Sequence, residues 1–271
     1  MLQSNKKQTI GCVKTVRLTG KNATELLDSV ANETPVALVI NGEPHVVMMA
    51  SPDNLEDFAI GFCITENLIS SANDIHYLDI IPCDSGLQIH IRFRDQQQTH
   101  RQKQRNLTGR TGCGLCGTAL IEEAVRNTPV VESDIKVNLR QISKALEVIS
   151  SNQPVKSKTG AVHAAAWNSV SEDLYVVRED VGIHNALDKL VGSLYLDGKI
   201  DPMTGFIVIT SRASYEMVTK TAFAGVAVLV AVSAPTSLAI EIAEKSNLTL
   251  IGFARDESCV IYTRPERIVR V

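Results

Sequence analysis

Residues 206–237 read FIVITSRASYEMVTKTAFAGVAVLVAVSAPTS. Phe206–Thr210 and Val226–Val232 are apolar runs rich in β-branched residues, and Tyr215–Phe223 between them reads as a helix. A strand with one wet face alternates apolar and polar residues, whereas an unbroken apolar strand is covered on both faces. Two such strands joined through a helix predict a largely parallel sheet layered by helices. The same alternation extends outward. Strands are expected at Ala161–Trp167, Leu174–Arg178, Leu248–Phe253 and Val260–Thr263. Helices are expected at Leu139–Ile149, His184–Leu196 and Leu238–Lys245, the second with Leu187, Leu190, Val191 and Leu194 on one side. Residues 128–271 therefore read as a three-layer α/β domain.

Residues 1–105 read as a smaller α+β domain. Val36–Asn41 and His45–Ala50 are strand-like about a Gly42-Glu43-Pro44 turn. Ser51 is placed to cap a helix with Pro52 at its first position, and Leu55, Phe58, Ala59 and Phe62 follow at helical spacing. Ile75–Ile81 and Leu87–Phe93 read as strands; in the second, Leu87, Ile89, Ile91 and Phe93 alternate with polar residues. Asp95–Gly112 then reads DQQQTHRQKQRNLTGRTG, with Leu107 its single apolar residue and Arg101, Lys103, Arg105 and Arg110 against Asp95. Such a stretch buries too little surface to offset the entropy of ordering it, so a mobile basic linker is expected. Residues 106–127 are read as a mobile loop and a helix start, Thr118–Arg126.

The 271 residues are 44% hydrophobic and 21% charged, with a net charge of −3 and 4% aromatics. That balance does not recruit nucleic acid or an anionic membrane. The N-terminus MLQSNKKQTIGC has no apolar signal core, and Ala222–Ala234 is too short to span a bilayer. A cytoplasmic protein is expected. Of six cysteines, Cys12, Cys63, Cys83 and Cys259 are scattered and read as buried, inert thiols; Cys113 and Cys116 form a motif.

That motif is Gly112-Cys113-Gly114-Leu115-Cys116-Gly117. A thiol is nucleophilic as its thiolate, and a helix start or a neighbouring cation such as Arg110 favours that form. Four roles fit a C-x-x-C: a redox dithiol, half of a zinc site completed by His163 or His184, a packed pair, or a persulfide carrier. The H-x-E of zinc nucleotide deaminases is absent from the chain. No metal site is assigned. Further polar groups fall at the carboxyl ends of predicted strands, where open α/β sheets bind ligands. Thr210-Ser211-Arg212-Ala213-Ser214 and Ser233-Ala234-Pro235-Thr236-Ser237 each open a helix and suit a phosphate, with Arg212 as a charged donor. His163, Asp180 and His184 are placed to bind a ligand or manage protons at the same edge.

The stretches NGEPHVVMMASPDNLEDFAIGFCITENLI (41–69), TGCGLCGTALIEEA (111–124), TGAVHAAAW (159–167), REDVGIHNALDKL (178–190), SRASYEMV (211–218) and SAPTSLAIEIAEKSNLTLIGFAR (233–255) resemble the FdhD family of formate dehydrogenase accessory sulfurtransferases. The resemblance implies a cytidine-deaminase-like α/β domain beside the smaller N-terminal one, and a homodimer. It implies that Cys113, with Cys116 as partner or relay, takes persulfide sulfur from a cysteine desulfurase. The acceptor implied is the molybdenum cofactor carrying two guanine dinucleotides, bound as a substrate that GDP-like nucleotides mimic, on its way to formate dehydrogenase. A non-catalytic cofactor-binding chaperone is the alternative. The family's cofactor segment falls on Phe253, Ala254, Arg255, Asp256, Glu257 and Ser258, joined by Ser211, Arg212, Ser233 and Thr236. Asp256 and Glu257 stand where members often carry basic residues or glycine, and Ile183 replaces a common arginine.

Overall fold

The computed structural model describes residues 8–95, 127–198 and 200–269. The linker 96–112, the cysteine pair and the expected helix at 118–126 lie outside the described residues. The chain opens on an antiparallel hairpin, β1 (Ile10–Thr19) and β2 (Asn22–Ala31), an element the hydrophobic pattern does not announce. A four-stranded sheet follows, built from β3 (Thr34–Ile40), β4 (Glu43–Ala50), β5 (Ile75–Cys83) and β6 (Gly86–Phe93) in the order β4-β3-β6-β5. The turn between β3 and β4 is Asn41-Gly42, both residues at positive φ (53° and 88°). This two-residue turn matches the twist of its strands. Glu43 and Pro44 therefore belong to β4 rather than to the turn. As β4 is an edge strand, the missing proline N–H is tolerated.

Helix α1 (Leu55–Thr65) starts three residues later than the Ser51-Pro52 signal suggests, with Asn54 as its left-handed N-cap. Ser51 has other partners. Its N–H donates to Asp180 Oδ2 (2.9 Å), its hydroxyl accepts from the Val181 N–H (3.1 Å), and its carbonyl accepts from Lys189 Nζ (3.0 Å). A hydroxyl that accepts from a residue 130 positions away does not cap a helix beside it.

The second half holds β7 (Val137–Asn138), α2 (Leu139–Ser151), α3 (Pro154–Thr159), β8 (His163–Ser169), β9 (Tyr175–Asp180) and α4 (Ile183–Asp197). Then come β10 (Gly205–Ile209), α5 (Tyr215–Phe223), β11 (Val228–Ala231), α6 (Ser237–Lys245), β12 (Thr249–Arg255), β13 (Ser258–Ile261) and β14 (Ile268–Val269), which pairs with β7. Six strands form one sheet in the order β13-β12-β11-β10-β8-β9. The expectation of a largely parallel sheet needs correction: β10, β11 and β12 are parallel, but β8, β9 and β13 join antiparallel. Short turns between β8 and β9 and between β12 and β13 leave no room for the crossover a parallel pair needs.

Successive residues of these strands enter opposite layers. Ala165, Trp167, Ile207, Ile209, Leu229, Ala231 and Leu250 pack with α4, α5 and α6. Ala164, Ala166, Phe206, Val208, Val228, Val230 and Ile251 pack with Ile142, Ala145 and Ile149 of α2. The mixed sheet is thus covered on both faces, as its unbroken apolar runs require.

The two sheets share one core through α1 and α4. In α1 every residue but Glu56 is buried, with the β3–β6 sheet and α4 in the same cluster. The helices touch backbone to backbone: a Cβ on Gly61 would stand 1.7 Å from the Asp188 carbonyl oxygen, and one on Gly192 1.8 Å from that of Asp57. Two buried lysines flank this crossing. Lys189 reaches Asp180 Oδ2 (2.8 Å), Asp53 Oδ1 (2.8 Å) and the Ser51 carbonyl. Lys220 reaches both oxygens of Asp188 (2.8 and 2.9 Å), the Thr65 hydroxyl (2.9 Å) and Glu66 (3.2 Å). Buried charges are tolerated when paired and fully hydrogen-bonded. Among the described residues no helix is long and apolar enough to cross a membrane. Gly61→Ala or Gly192→Ala should force the helices apart and lower unfolding stability by about 3 kcal/mol, read from denaturant melts.

Candidate functional site

The carboxyl ends of β10, β11 and β12 converge on one edge. There the chain continues the parallel ladder past the strands. The Val232 N–H donates to Ile209 O (3.1 Å), the Ser233 N–H to Ser211 O (3.4 Å), and the Phe253 N–H to Ser233 O (3.2 Å). Ala213 bridges Pro235 in parallel, with reciprocal bonds from the Ala213 N–H to Ala234 O (3.1 Å) and from the Thr236 N–H to Ala213 O (3.0 Å). Ser211, Arg212, Ser233, Thr236 and Phe253, dispersed over 43 residues, are therefore brought to a common crevice edge.

Their chemistry differs. Arg212 is exposed at the tip of its turn. The Ser211 hydroxyl donates to the Arg212 carbonyl (2.8 Å), and the Thr236 hydroxyl accepts from the Ala239 N–H (3.3 Å), capping α6. Ser214 Oγ is buried with no hydrogen-bond partner among the described residues. Gly252 lies so close to the neighbouring turn that a Cβ would stand 2.9 Å from Pro235 Cδ and 3.2 Å from Ser233 O. The chain next twists through Phe253 at φ 52°, in the left-handed region that a bulky residue enters at a cost. Phe253 is 44% exposed, a large aromatic residue open to solvent at this edge.

The expected binding segment 253–258 does not form one surface. Ala254 is 1% exposed and packs in the cluster beneath α2, so its side chain is closed to a ligand. Arg255, Asp256, Glu257 and Ser258 make the exposed β12–β13 turn, and the Asp256 carbonyl accepts from the Ser143 hydroxyl of α2.

Two histidines stand beside the same edge. His163 opens β8 with Nδ1 3.4 Å from the Thr210 hydroxyl. His184, in the first turn of α4, holds Glu216, in the first turn of α5, at 2.6 Å through Nε2. This pair was not legible in the sequence: Glu216 lies in the SRASYEMV stretch, but its partner is 32 residues away and no local pattern joins them. The His184 hydrogen bond draws the Glu216 carboxyl below its ordinary range. Burial, then Lys156 and His184, make His163 harder to protonate. Asp180, expected to meet ligand or protons, is instead fully buried against Lys189, so it is a structural anchor.

Cys113 and Cys116 lie outside the described residues. The scattered cysteines are not uniformly buried: Cys63 is, Cys12 is exposed, and Cys83 and Cys259 are half-buried. Burial, Asp188 and Glu66 push the Cys63 thiol up, leaving it inert at neutral pH. Among the described residues no cluster of three or more histidine, cysteine or acidic side chains could hold a metal ion.

With this geometry in place, comparison with known proteins settles the kinship. The sequence model of the FdhD/NarQ family matches residues 31–269. The chain belongs to the FdhD/NarQ family. It is 46% identical over 259 residues to the sulfur carrier protein FdhD of Xanthomonas euvesicatoria, covering 94% of this chain and 92% of that one. It is 43% identical over 242 residues to the sulfur carrier protein FdhD of Bordetella petrii, covering 89% and 87%. Its backbone is similar to the crystal structure of a putative formate dehydrogenase accessory protein from Desulfotalea psychrophila. That match has a TM-score of 0.76 and 26% identity, over 97% of this chain and 100% of the other. The matched FdhD/NarQ span contains both sheets and begins at the last residue of β2.

The edge histidine and glutamate make stability acid-sensitive in a defined direction. Folded His163 binds its proton less readily than the unfolded chain, so below about pH 6.5 the unfolded state holds more protons and stability falls. The depressed Glu216 contributes stability above the ordinary carboxylate range that is lost as pH drops through its folded value. Urea midpoints measured from about pH 7 down to about pH 3 should decline less steeply between about pH 6.5 and 5 for His163→Gln and below about pH 4.5 for Glu216→Gln.

Proposed function

We propose that this chain is a sulfur carrier that supplies formate dehydrogenase with a sulfurated molybdenum cofactor, its chemistry running through Cys113 and Cys116. The observation that carries the reading is the C-x-x-C set between glycines in a chain 46% identical to a relative named sulfur carrier protein FdhD. In the first step the Cys113 thiolate attacks the outer sulfur of a cysteine desulfurase persulfide. A new S–S bond forms, the donor's S–S bond breaks, and the donor leaves as thiolate. In the second step the Cys116 thiolate attacks Cys113 sulfur. The protein pair is oxidised to a disulfide while the outer sulfur, reduced to sulfide, passes to the acceptor.

The acceptor, a cofactor with two guanine dinucleotides, is a substrate here, and the carboxyl edge suits its nucleotide part. Phe253 offers a stacking face and Arg212 a phosphate donor. Asp256 and Glu257 belong to the exposed β12–β13 turn, which is tied to α2 through the Asp256 carbonyl. We read the scaffold as cytidine-deaminase-like, the working form as a homodimer and the setting as cytoplasmic.

Mass spectrometry after incubation with desulfurase and cysteine should find one added sulfur on Cys113. Cys113→Ala should abolish it while leaving GDP affinity within about twofold. Phe253→Ala and Arg212→Ala should each weaken GDP binding about tenfold by calorimetry, with sulfur loading intact. Full formate dehydrogenase activation by Cys113→Ala would instead favour a cofactor chaperone without sulfur chemistry.

A further inference from the structure

Helices α4 and α5 are joined by two polar contacts, one sealed and one open. In the sealed one, Lys220 Nζ meets both oxygens of Asp188 at 2.8 and 2.9 Å, and the Asp188 side chain is 1% exposed. That contact already fixes how the two helices sit. The open one lies a turn nearer the crevice, with His184 Nε2 held to Glu216 Oε2 at 2.6 Å and the two side chains 28% and 41% exposed. A part-exposed ion pair adds little to stability. As a brace, then, the outer pair is redundant.

As chemistry it is not. An imidazole bonded through one nitrogen to a carboxylate is the arrangement that orients a proton-transferring histidine. The carboxylate keeps a proton on Nε2 and leaves Nδ1 as the nitrogen that meets a ligand. Among the described residues Nδ1 has no hydrogen-bond partner. Glu216 is ionised for this role: the His184 hydrogen bond draws its carboxyl below the ordinary range, with Lys220 adding to the pull and burial and Glu66 opposing it. The other groups that face the pair are His163 at the start of β8 and Lys156 of α3. Burial, then Lys156 and His184, make His163 harder to protonate, so His163 is neutral at pH 7 and holds no proton in reserve.

We propose that His184 is the proton donor for the sulfur exchange at this edge and that Glu216 is its positioning residue. The proposal rests on the sulfur-carrier reading above and names a residue for its last step. An acceptor metal takes up sulfide by giving up an oxygen ligand. Oxide does not leave as such; it leaves as water, which takes two protons. Hydrosulfide brings one, and the His184 imidazolium gives the other from Nδ1. The metal–oxygen bond breaks, a metal–sulfur bond forms, and the metal keeps its oxidation state. The neutral imidazole then recovers a proton from solvent. The sulfur was already reduced when the cysteine pair became a disulfide, so this step needs no further electrons.

Single-turnover delivery tests this. The full chain is loaded with sulfur from radiolabelled cysteine and a desulfurase, then mixed with the molybdenum cofactor carrying two guanine dinucleotides. Transfer of label by the wild type should slow as pH rises between about 6 and 8. His184→Ala should load sulfur but deliver it about 100-fold more slowly, with a flat pH profile, and added imidazole should recover part of the rate. Glu216→Gln should slow delivery about tenfold and keep the pH dependence, and Glu216→Asp should recover the rate to within about threefold. Circular dichroism checks each variant, and His184→Gln carries the same comparison should His184→Ala fail to fold. A wild type that loads no sulfur, or passes none to the cofactor, overturns the sulfur-carrier reading and this proposal with it. A wild type that delivers sulfur, beside a His184 variant that keeps its rate or its pH profile, overturns the proposal alone.

Discussion

Two helices that touch with no side chain between them set the geometry of this protein. Gly61 and Gly192 let α1 and α4 meet at backbone distance, which joins the four-stranded and six-stranded sheets into one core. Such closeness removes room for bulky apolar filling on either flank. The flanks hold Lys189 and Lys220 instead, each surrounded by carboxylates and hydroxyl or carbonyl oxygens. An unpaired charge there would cost several kcal/mol, so the partners fix how the helices sit rotationally as well as how near they are.

The crossing also shapes the crevice wall. His184 and Asp188 are one turn apart on α4, and Glu216 and Lys220 are one turn apart on α5. The helices are thereby laced by two polar rungs, His184–Glu216 at the edge and Asp188–Lys220 deeper. The outer rung is part-exposed and titratable; the inner one is sealed and continues to Thr65 and Glu66 at the end of α1. A part-exposed pair at the crevice is thus backed by a buried one.

The parallel ladder that runs past its strands gives the edge its ligand-facing form. Close approach at Gly252 forces the turn that throws Phe253 outward, and the next residue, Ala254, returns to the core. One glycine contact therefore separates a candidate stacking ring from the acidic turn beyond it.

The sequence by itself determined where the doubly covered strands and their helices lie, because hydrophobic periodicity is a property of neighbours along the chain. Tyr215–Phe223 is the helix its composition predicts, the run at Val226 contains β11, and the run at Phe206 overlaps β10 to within one residue at each end. The family was legible for the same reason: its motifs are contiguous. Tertiary structure decided everything that depends on a distant partner. Ser51 has the chemistry of a cap, yet Asp180, Val181 and Lys189 claim it. Asp180 looks like a ligand group and is an anchor, and Ala254 looks like a contact and is core. The His184–Glu216 pair exists because two helices lie side by side, and the long hairpin forms through cross-strand bonds that no single-strand pattern encodes. Local periodicity fixes which residues turn inward; only the packed chain fixes what they meet there.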